Sequence, residues 1–266
     1  VSISSEERKR VILEELRSEG QVRVLELSEQ FSVSEETIRR DLILLENEGI
    51  VKRVYGGAIR AVTDMYEPPY LQRQNVKRTE KEIIGRKAAE LIESGDTIVI
   101  DVGTTALELA KSITNRERLT VLTNSIAVAY HLMEAINAQR FSGNVIVIGG
   151  DLNPEQQSLT GSLSEEVLSK FRVNKAFVSI GGISPQRGIS DYDVKEASMS
   201  RLMIRTAAHT IVLADDSKIN REVFVEIAPL NWVHTVVSNV PQPDEWKSFH
   251  NTKGLQWIEA NGKGDL

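Results

Sequence analysis

Gln21–Arg60, QVRVLELSEQFSVSEETIRRDLILLENEGIVKRVYGGAIR, decides how the N-terminal part of this chain folds. It reads as a helix, a tight turn, a second helix and a short hairpin tipped by Gly56 and Gly57. Ser34 has the hydroxyl of an N-cap for a helix running to about Asn47, with Gly49 just past its end. Within that helix Ile38, Leu42 and Leu45 recur at helical spacing and face a small core. Glu36, Thr37, Arg39 and Arg40 take the other faces of its first half. Ile43 and Leu44 make its second half apolar nearly all round. A helix that is polar and cationic at its first end and buried at its last can push the first end into a DNA major groove. Val24–Phe31 is the preceding helix, and Ser32-Val33 the turn between them. Further upstream, Ser4 and Glu7 have the spacing of a capping box for a first helix to about Ser18. Its apolar stripe is Val11, Ile12, Leu16 and part of Leu13, and Gly20 ends it.

The string TIRRDL (37–42), followed by LENEGIVKRVYGGA (45–58), resembles the DNA-binding signature of the DeoR family of bacterial transcriptional regulators. For Arg39 and Arg40 alone, a solvated cationic face is as good a reading. The full string fixes positions across helix, turn and hairpin together. The resemblance implies a winged helix-turn-helix whose wing is built from Lys52, Arg53 and the Gly56-Gly57 turn. It places Ser34, Glu36, Thr37, Arg39, Arg40, Lys52, Arg53, Tyr55, Gly56 and Gly57 at double-stranded operator DNA. Arg39 and Arg40 would be the principal contacts, with Lys52 and Arg53 on phosphates.

A length of 266 residues allows one or two domains, and 41% hydrophobic with 26% charged residues is ordinary for a globular protein. A net charge of −6 would argue against nucleic acid if global charge decided the matter, but a local basic patch does. Even the first sixty residues hold ten Lys and Arg against twelve Asp and Glu. Many of those acids (Glu6, Glu7, Glu14, Glu15, Glu19) lie on the first helix. They are expected to face away from DNA and to favour specific over promiscuous binding. The absence of cysteine excludes disulfides and thiolate metal sites. His131, His209, His234 and His250 show no metal-ligand spacing, so neither a metal nor a cofactor is expected. SSEERKRVILEEL (4–16) has no signal-peptide pattern and no apolar run approaches a membrane span, which predicts a cytoplasmic protein.

A sixty-residue unit has a thin core, so support from a dimer or a second domain is expected. Residues 61–79 (AVTDMYEPPYLQRQNVKRT) read as an extended linker, because Pro68-Pro69 cannot continue a helix. Tyr66, Tyr70 and Leu71 are its candidates for packing on a neighbouring surface. From Glu80 helices alternate with short Val- and Ile-rich strands: KEIIGRKAAELI, then TIVID, ALELAKSI, LTVLTNS, IAVAYHLMEAI and NVIVIGG. LSEEVLSKF, KAFVSIGG, VKEASMSRLMIRTA, TIVLADD and HTVVSN continue the alternation. The pattern predicts an α/β fold, a doubly wound, mostly parallel Rossmann-like sheet behind the small winged helix-turn-helix. After Lys253 comes one edge strand and then a disordered end. The expected organisation is 1–60 for DNA, 61–79 as linker, 80–258 for effector binding and oligomerisation, and 259–266 as tail.

In such a sheet, ligands gather outside the carboxyl ends of the strands. Those ends read Asp101-Val102-Gly103-Thr104-Thr105, Thr123-Asn124-Ser125, Gly149-Gly150, Gly181-Gly182 and Asp215-Asp216-Ser217-Lys218. Gly103 permits close backbone approach, and Thr104 and Thr105 open the next helix. Hydroxyls and helix N-terminal amides suit an anion of the phosphate kind. Lys218 adds a point charge. Asp101, Asn124 and either Asp191 or Asp193 are candidates for holding sugar hydroxyls. Each glycine pair is a turn first and a ligand site second, and Asp215 with Lys218 also fits a surface ion pair. The family resemblance extends here through Lys81 in its EK-x-x-IG run, DVGTT, TNS, VIGG, Thr160-Gly161, VSIGGI, Glu196 in KEA and ADDSK. It covers about Ser5 to Asn239. It implies an effector domain like sugar-phosphate isomerases in fold, sensing a phosphorylated sugar, in a homodimer or homotetramer. The family's arginine before the EK helix falls on Arg73 or Arg78.

Two enzyme readings compete. A ketose–aldose isomerase needs a carboxylate and a partner acid or base about a carbonyl, and Asp101, Glu196 and Lys218 supply those types. A free-standing isomerase has no use for the N-terminal domain, so no catalytic residue is assigned. A nicotinamide-dependent oxidoreductase fails at TIVIDVGTTALE, which lacks G-x-G-x-x-G.

Overall fold

The computed structural model describes residues 4–19, 21–47, 50–60 and 67–261, without the side chains of 17–19 and 60. Gly20, Gly49, Tyr66, the first part of the expected linker and the end of the tail lie outside these residues. Two compact units divide between Pro68 and Pro69.

In the first unit, helix α1 (Ser5–Glu19) is followed by strand β1 (Gln21–Arg23) and helix α2 (Val24–Phe31). Helix α3 (Glu35–Asn47) and strands β2 (Val51–Val54) and β3 (Gly57–Arg60) complete it. The Ser4 hydroxyl accepts from the Glu7 amide at 3.2 Å, one half of the expected capping box, while the Glu7 carboxylate takes Arg10. Ser32 ends α2 in the left-handed region, with φ 53°. The hairpin is joined by β1, which sequence reading passed over, in a three-stranded antiparallel sheet of order β1-β3-β2. Ile12, Leu16, Val22, Leu27, Phe31, Ile38, Leu42, Leu45 and Val51 form the core.

Two features of α3 differ from expectation. Ile43 and Leu44 are exposed, because the buried stripe is Ile38, Asp41, Leu42 and Leu45, and residues 43 and 44 fall on the outer face. The second half of the helix is therefore not buried all round. Asp41 is buried because Arg8 of α1 bonds it at 2.8 Å and the Ser5 hydroxyl donates to it at 2.8 Å. Removing one member of such a buried pair typically costs about 3–5 kcal/mol, so the pair pins α3 to α1.

The second unit opens on a helical turn, α4 (Tyr70–Arg73), and not on the extended linker expected there. The Tyr70 amide donates to the Glu155 carbonyl and its ring is fully buried, while Leu71 stays exposed. The elements that follow are α5 (Arg78–Ala89), β4 (Thr97–Ile100), α6 (Thr104–Ser112), β5 (Leu119–Thr123) and α7 (Ile126–Asn137). Then come β6 (Gly143–Val147), β7 (Asp151–Asn153), β8 (Ser158–Thr160), α8 (Ser162–Ser169) and β9 (Val173–Ser179). The chain continues through β10 (Gly182–Ser184), β11 (Gly188–Asp191), α9 (Val194–Thr206), β12 (Ala207–Ala214), β13 (Val225–Ala228), β14 (Thr235–Ser238) and β15 (Gln256–Glu259).

Seven strands form one sheet of order β15-β14-β12-β9-β4-β5-β6, with every pair parallel. The order winds outward from β4 one way, then from β9 the other, so the topological switch point lies between β4 and β9. Val- and Ile-rich strands bury both faces. Ile98 and Ile100 pack with α5, α6 and α7 on one side, and Val99 packs with α8 and α9 on the other. The hairpin β7–β8 and the small sheet β10-β11-β13 are additions that sequence reading did not resolve. No helix among the described residues is long and apolar enough to cross a membrane.

Candidate functional site

In the first unit the first half of α3 exposes Glu35, Glu36, Arg39 and Arg40. Ser34 caps it, accepting from the Thr37 amide at 3.2 Å, and its hydroxyl also meets the half-buried Thr37 hydroxyl at 2.9 Å. Arg39 and Arg40 are exposed, as expected. They lie beside acids on their own helix, Arg39 with Glu35 at 2.5 Å and Arg40 with Glu36 at 3.8 Å. Glu36 therefore holds a cation rather than standing free. Arg53 is folded back on α3, its guanidinium and amide both bonded to Glu46. Those bonds hold the Glu46 carboxyl below its ordinary range. Lys52 has no ion pair among the described residues and points to solvent. Tyr55 is fully exposed at the wing tip.

The two wing glycines have different reasons. Gly56 has φ +78°, a turn conformation that side chains resist. Gly57 is buried beneath β1, where a Cβ would lie 2.0 Å from the Val22 carbonyl oxygen. It supports the wing and offers no surface to DNA. Sequence reading missed Arg23, which pairs with Gly57 across the sheet and is exposed beside the wing. Its place, last in β1 and just before α2, becomes legible only once β1 is known to exist.

In the second unit, the carboxyl ends of β5, β4, β9 and β12 lie side by side at the switch point. Asp101 is buried, taking the Val102 amide at 2.8 Å and the Ser200 hydroxyl at 2.6 Å. Ser200 also donates to the Glu196 carbonyl one turn earlier on α9. The buried Glu196 carboxylate accepts from Ser158 at 2.6 Å, and Ser158 bridges to Ser125. Asp101, Glu196 and the Ser125 main chain are thus linked through Ser158 and Ser200, two residues the sequence did not single out. Asn124 is fully buried, yet neither its amide nitrogen nor its amide oxygen has a hydrogen-bond partner among the described residues. The Ser179 hydroxyl, at the end of β9, is also unpartnered there. Leaving a buried polar group unmet costs on the order of 1–3 kcal/mol. Thr123 is buried and accepts from the Ser125 amide, and Ser125 caps α7. Thr104 and Thr105 are buried at the start of α6.

Two cations share one aromatic ring. Lys218 is half-buried with its ammonium 6.0 Å from the Tyr192 ring, and Arg221 lies 5.7 Å from the same ring. The surface pair of Asp215 with Lys218 is not formed. Asp215 is buried and caps the short 3-10 turn through the Ser217 amide, while Asp216 bonds Lys77 at 2.8 Å. Burial opposes the charge on Asp216, but hydrogen bonds from Lys77 and Asn239 outweigh it and hold its carboxyl low. Lys81 is buried and donates to the Arg73 carbonyl at 2.7 Å. Arg73 bonds Gln156, whereas Arg78 is exposed and pairs with Glu82, so Arg73 is the arginine tied into this region. Asp191 is buried, while Asp193 is exposed and caps α9.

The glycines divide. Gly103 has φ +147°, and a Cβ there would lie 2.3 Å from the Ser179 hydroxyl oxygen, at the switch point itself. Gly149 is exposed with open space above it. Gly150, Gly181 and Gly182 are demanded by packing, their Cβ positions being taken by Ser164, Tyr192 and Arg221 respectively, whereas Gly161 is demanded by its φ of +100°.

Residues 8–63 match the DeoR-like helix-turn-helix domain, and residues 76–240 match the DeoR C terminal sensor domain. The chain belongs to the DeoR family of transcriptional regulators. Its relatives include the HTH-type transcriptional regulator YulB of Bacillus subtilis (strain 168), 37% identical over 88% of this chain and 88% of that protein. The glycerol-3-phosphate regulon repressor of Escherichia coli (strain K12) is 32% identical over 87% of this chain and 90% of its own length. Among solved structures, ribose 5-phosphate isomerase A from Methanocaldococcus jannaschii aligns over 54% of this chain and 55% of its own. Its identity is 14% and its TM-score 0.39, too slight a likeness to carry an argument. These relatives are regulators, so the isomerase and oxidoreductase readings fall. Within a DeoR-family chain, Ser200 was within reach of sequence reasoning: it stands four residues after Glu196, on the same face of α9.

Proposed function

We propose that this DeoR-family chain is a sequence-specific repressor of a sugar-metabolism operon, released from its operator by a phosphorylated sugar. The observation that carries the reading is Asn124, fully buried at a strand's carboxyl end with both amide atoms unmet. A sugar hydroxyl both donates and accepts, and so answers both atoms of an amide. The chemistry around it is consistent with the rest of such a ligand. Asp101 and Glu196 suit hydroxyls, and helix N-termini at Thr104 and Ser125 suit a phosphate, with Lys218 near the margin. The effector residues on this reading are Lys81, Asp101, Gly103, Thr104, Thr105, Thr123, Asn124, Ser125, Asp191, Glu196, Asp215 and Lys218. The name of the glycerol-3-phosphate regulon repressor, a relative over most of the chain, supports a phosphorylated effector.

At the other end, Arg39, Arg40 and Lys52 meet operator DNA, as two winged helices on related half-sites of a homo-oligomer. Arg53 joins them on release from Glu46. The test is a thermal-shift screen of the full chain against pentose, hexose and triose phosphates, followed by operator titration with any hit. A hit at a hundred times its dissociation constant stabilises by about 2.7 kcal/mol. It should then weaken operator binding roughly five- to a hundred-fold, and by reciprocity operator should weaken its binding equally. A hit that leaves operator affinity unchanged overturns the coupling, and a screen with no hit overturns the effector class.

A further inference from the structure

We propose that the open β6 edge of the parallel sheet, with the outward faces of α7 and α8 beside it, is where a second copy of this chain docks. The two rims of the sheet differ. β15 exposes Gln256 and Glu259, whereas β6 reads Gly143-Asn144-Val145-Ile146-Val147, without a charge or a proline. Edge strands left in water are normally protected by charge, proline or a bulge, because unpaired main-chain groups recruit another strand. The Ile148 amide and the Ser142 carbonyl both bond toward β5. Main-chain groups of successive residues face opposite sides of a strand, so Val145 and Val147 turn theirs away from the sheet, into the open edge.

The side chains on both faces tell the same story. On α7 the row Ile126, Tyr130, Met133, spaced by four and three residues, faces solvent, with Tyr130 59% and Met133 50% exposed. On the same face of the sheet but beyond α6, α5 exposes Arg78, Thr79 and Arg86 instead. On the other face α8 exposes Leu163 and Val167, and Val147 stands at the end of β6 between them. These six side chains offer roughly 600 Å² per copy, or about 1,200 Å² over two, which reaches the lower bound for stable specific interfaces before the strand itself is counted. A second copy meets every demand at once. Antiparallel pairing of identical strands across a two-fold axis is self-complementary, and it brings α7 against α7 on one face and α8 against α8 on the other.

The test is sedimentation velocity of the full chain at about ten micromolar, with no DNA or effector present, so it stands or falls apart from the function proposed above. The parent is expected to be a dimer or a pair of dimers. The Tyr130→Glu/Met133→Glu variant changes only exposed side chains, and Val147→Pro removes only an outward amide; each should halve the mass and keep the parent's circular dichroism. Arg86→Glu, on α5, should leave the mass unchanged. Should the first variant fail to fold, Val147→Pro decides alone. A parent that is monomeric by itself, variants that keep the parent's mass, or an Arg86→Glu protein that dissociates as readily would each overturn the proposal.

Discussion

Asn124 makes opposite predictions for a structural and a ligand-binding residue. If its amide waits for a ligand, replacing it by an apolar group of similar size removes an unmet polar pair. Asn124→Leu should therefore melt no lower than the parent, and should lose the thermal shift given by the screened sugar phosphate. A variant that melts lower and keeps the shift makes Asn124 a core residue. Lys218 tests the other end of the ligand. Its ammonium has only the Tyr192 ring near it among the interactions described, so its removal breaks no side-chain hydrogen bond or ion pair among them. Lys218→Ala should bind operator like the parent yet fail to release it when the effector is added, and full release would take Lys218 out of the site. At this scale the sequence showed which polar and glycine residues stand at the strand ends, since a residue type at a strand terminus is visible in the string. It did not show which glycines serve packing. Gly181 and Gly182 look identical as letters, but their reasons, Tyr192 and the Arg221 carbonyl, are contacts across a fold.

Elements were legible in proportion to their length and periodicity. The second helix, 24–31, and the third, capped by Ser34, have the bounds their apolar spacing indicates. β1, β7, β8 and β10 are three residues each, too short to show an alternation, and they exist because a partner strand supplies their hydrogen bonds. The tight junction of α5 and α6 was also invisible. A Cβ on Gly85 would lie 2.4 Å from the Glu108 carbonyl carbon, so the two helices touch backbone to backbone. Gly85→Ala should destabilise the second unit by about 1–3 kcal/mol, seen as a lower melting temperature. An unchanged melt would mean that the helices separate freely. On α3, Arg39→Ala should cost about 1–3 kcal/mol of operator affinity if that side chain reads a base, whereas a loss equal for all DNA sequences would reassign it to phosphate.

Across the whole molecule, two histidines set a pH dependence. Burial first, then His234 and Lys175, holds His209 below its ordinary 6.5, and burial, then Arg140 and Lys111, does so for His131. Both bind protons more weakly when folded than when unfolded. Their contribution is fully present above about pH 6.5 and is lost as pH falls through the folded values. Melting temperature should fall on acidification from pH 8, and a His131→Gln/His209→Gln variant should flatten that fall; an equally steep variant would place the titration elsewhere. The strand order has a consequence of another kind, in time. The switch-point strands β4 and β9 come from distant stretches, Thr97 being tied to Asn174 across 77 residues, so the sheet cannot close at its centre until the chain has been made well past its midpoint. The winged helix closes its core within the first sixty residues, by contacts that form early and locally. During synthesis, then, the helix-turn-helix unit completes its core while the centre of the seven-stranded sheet is still waiting for its second half.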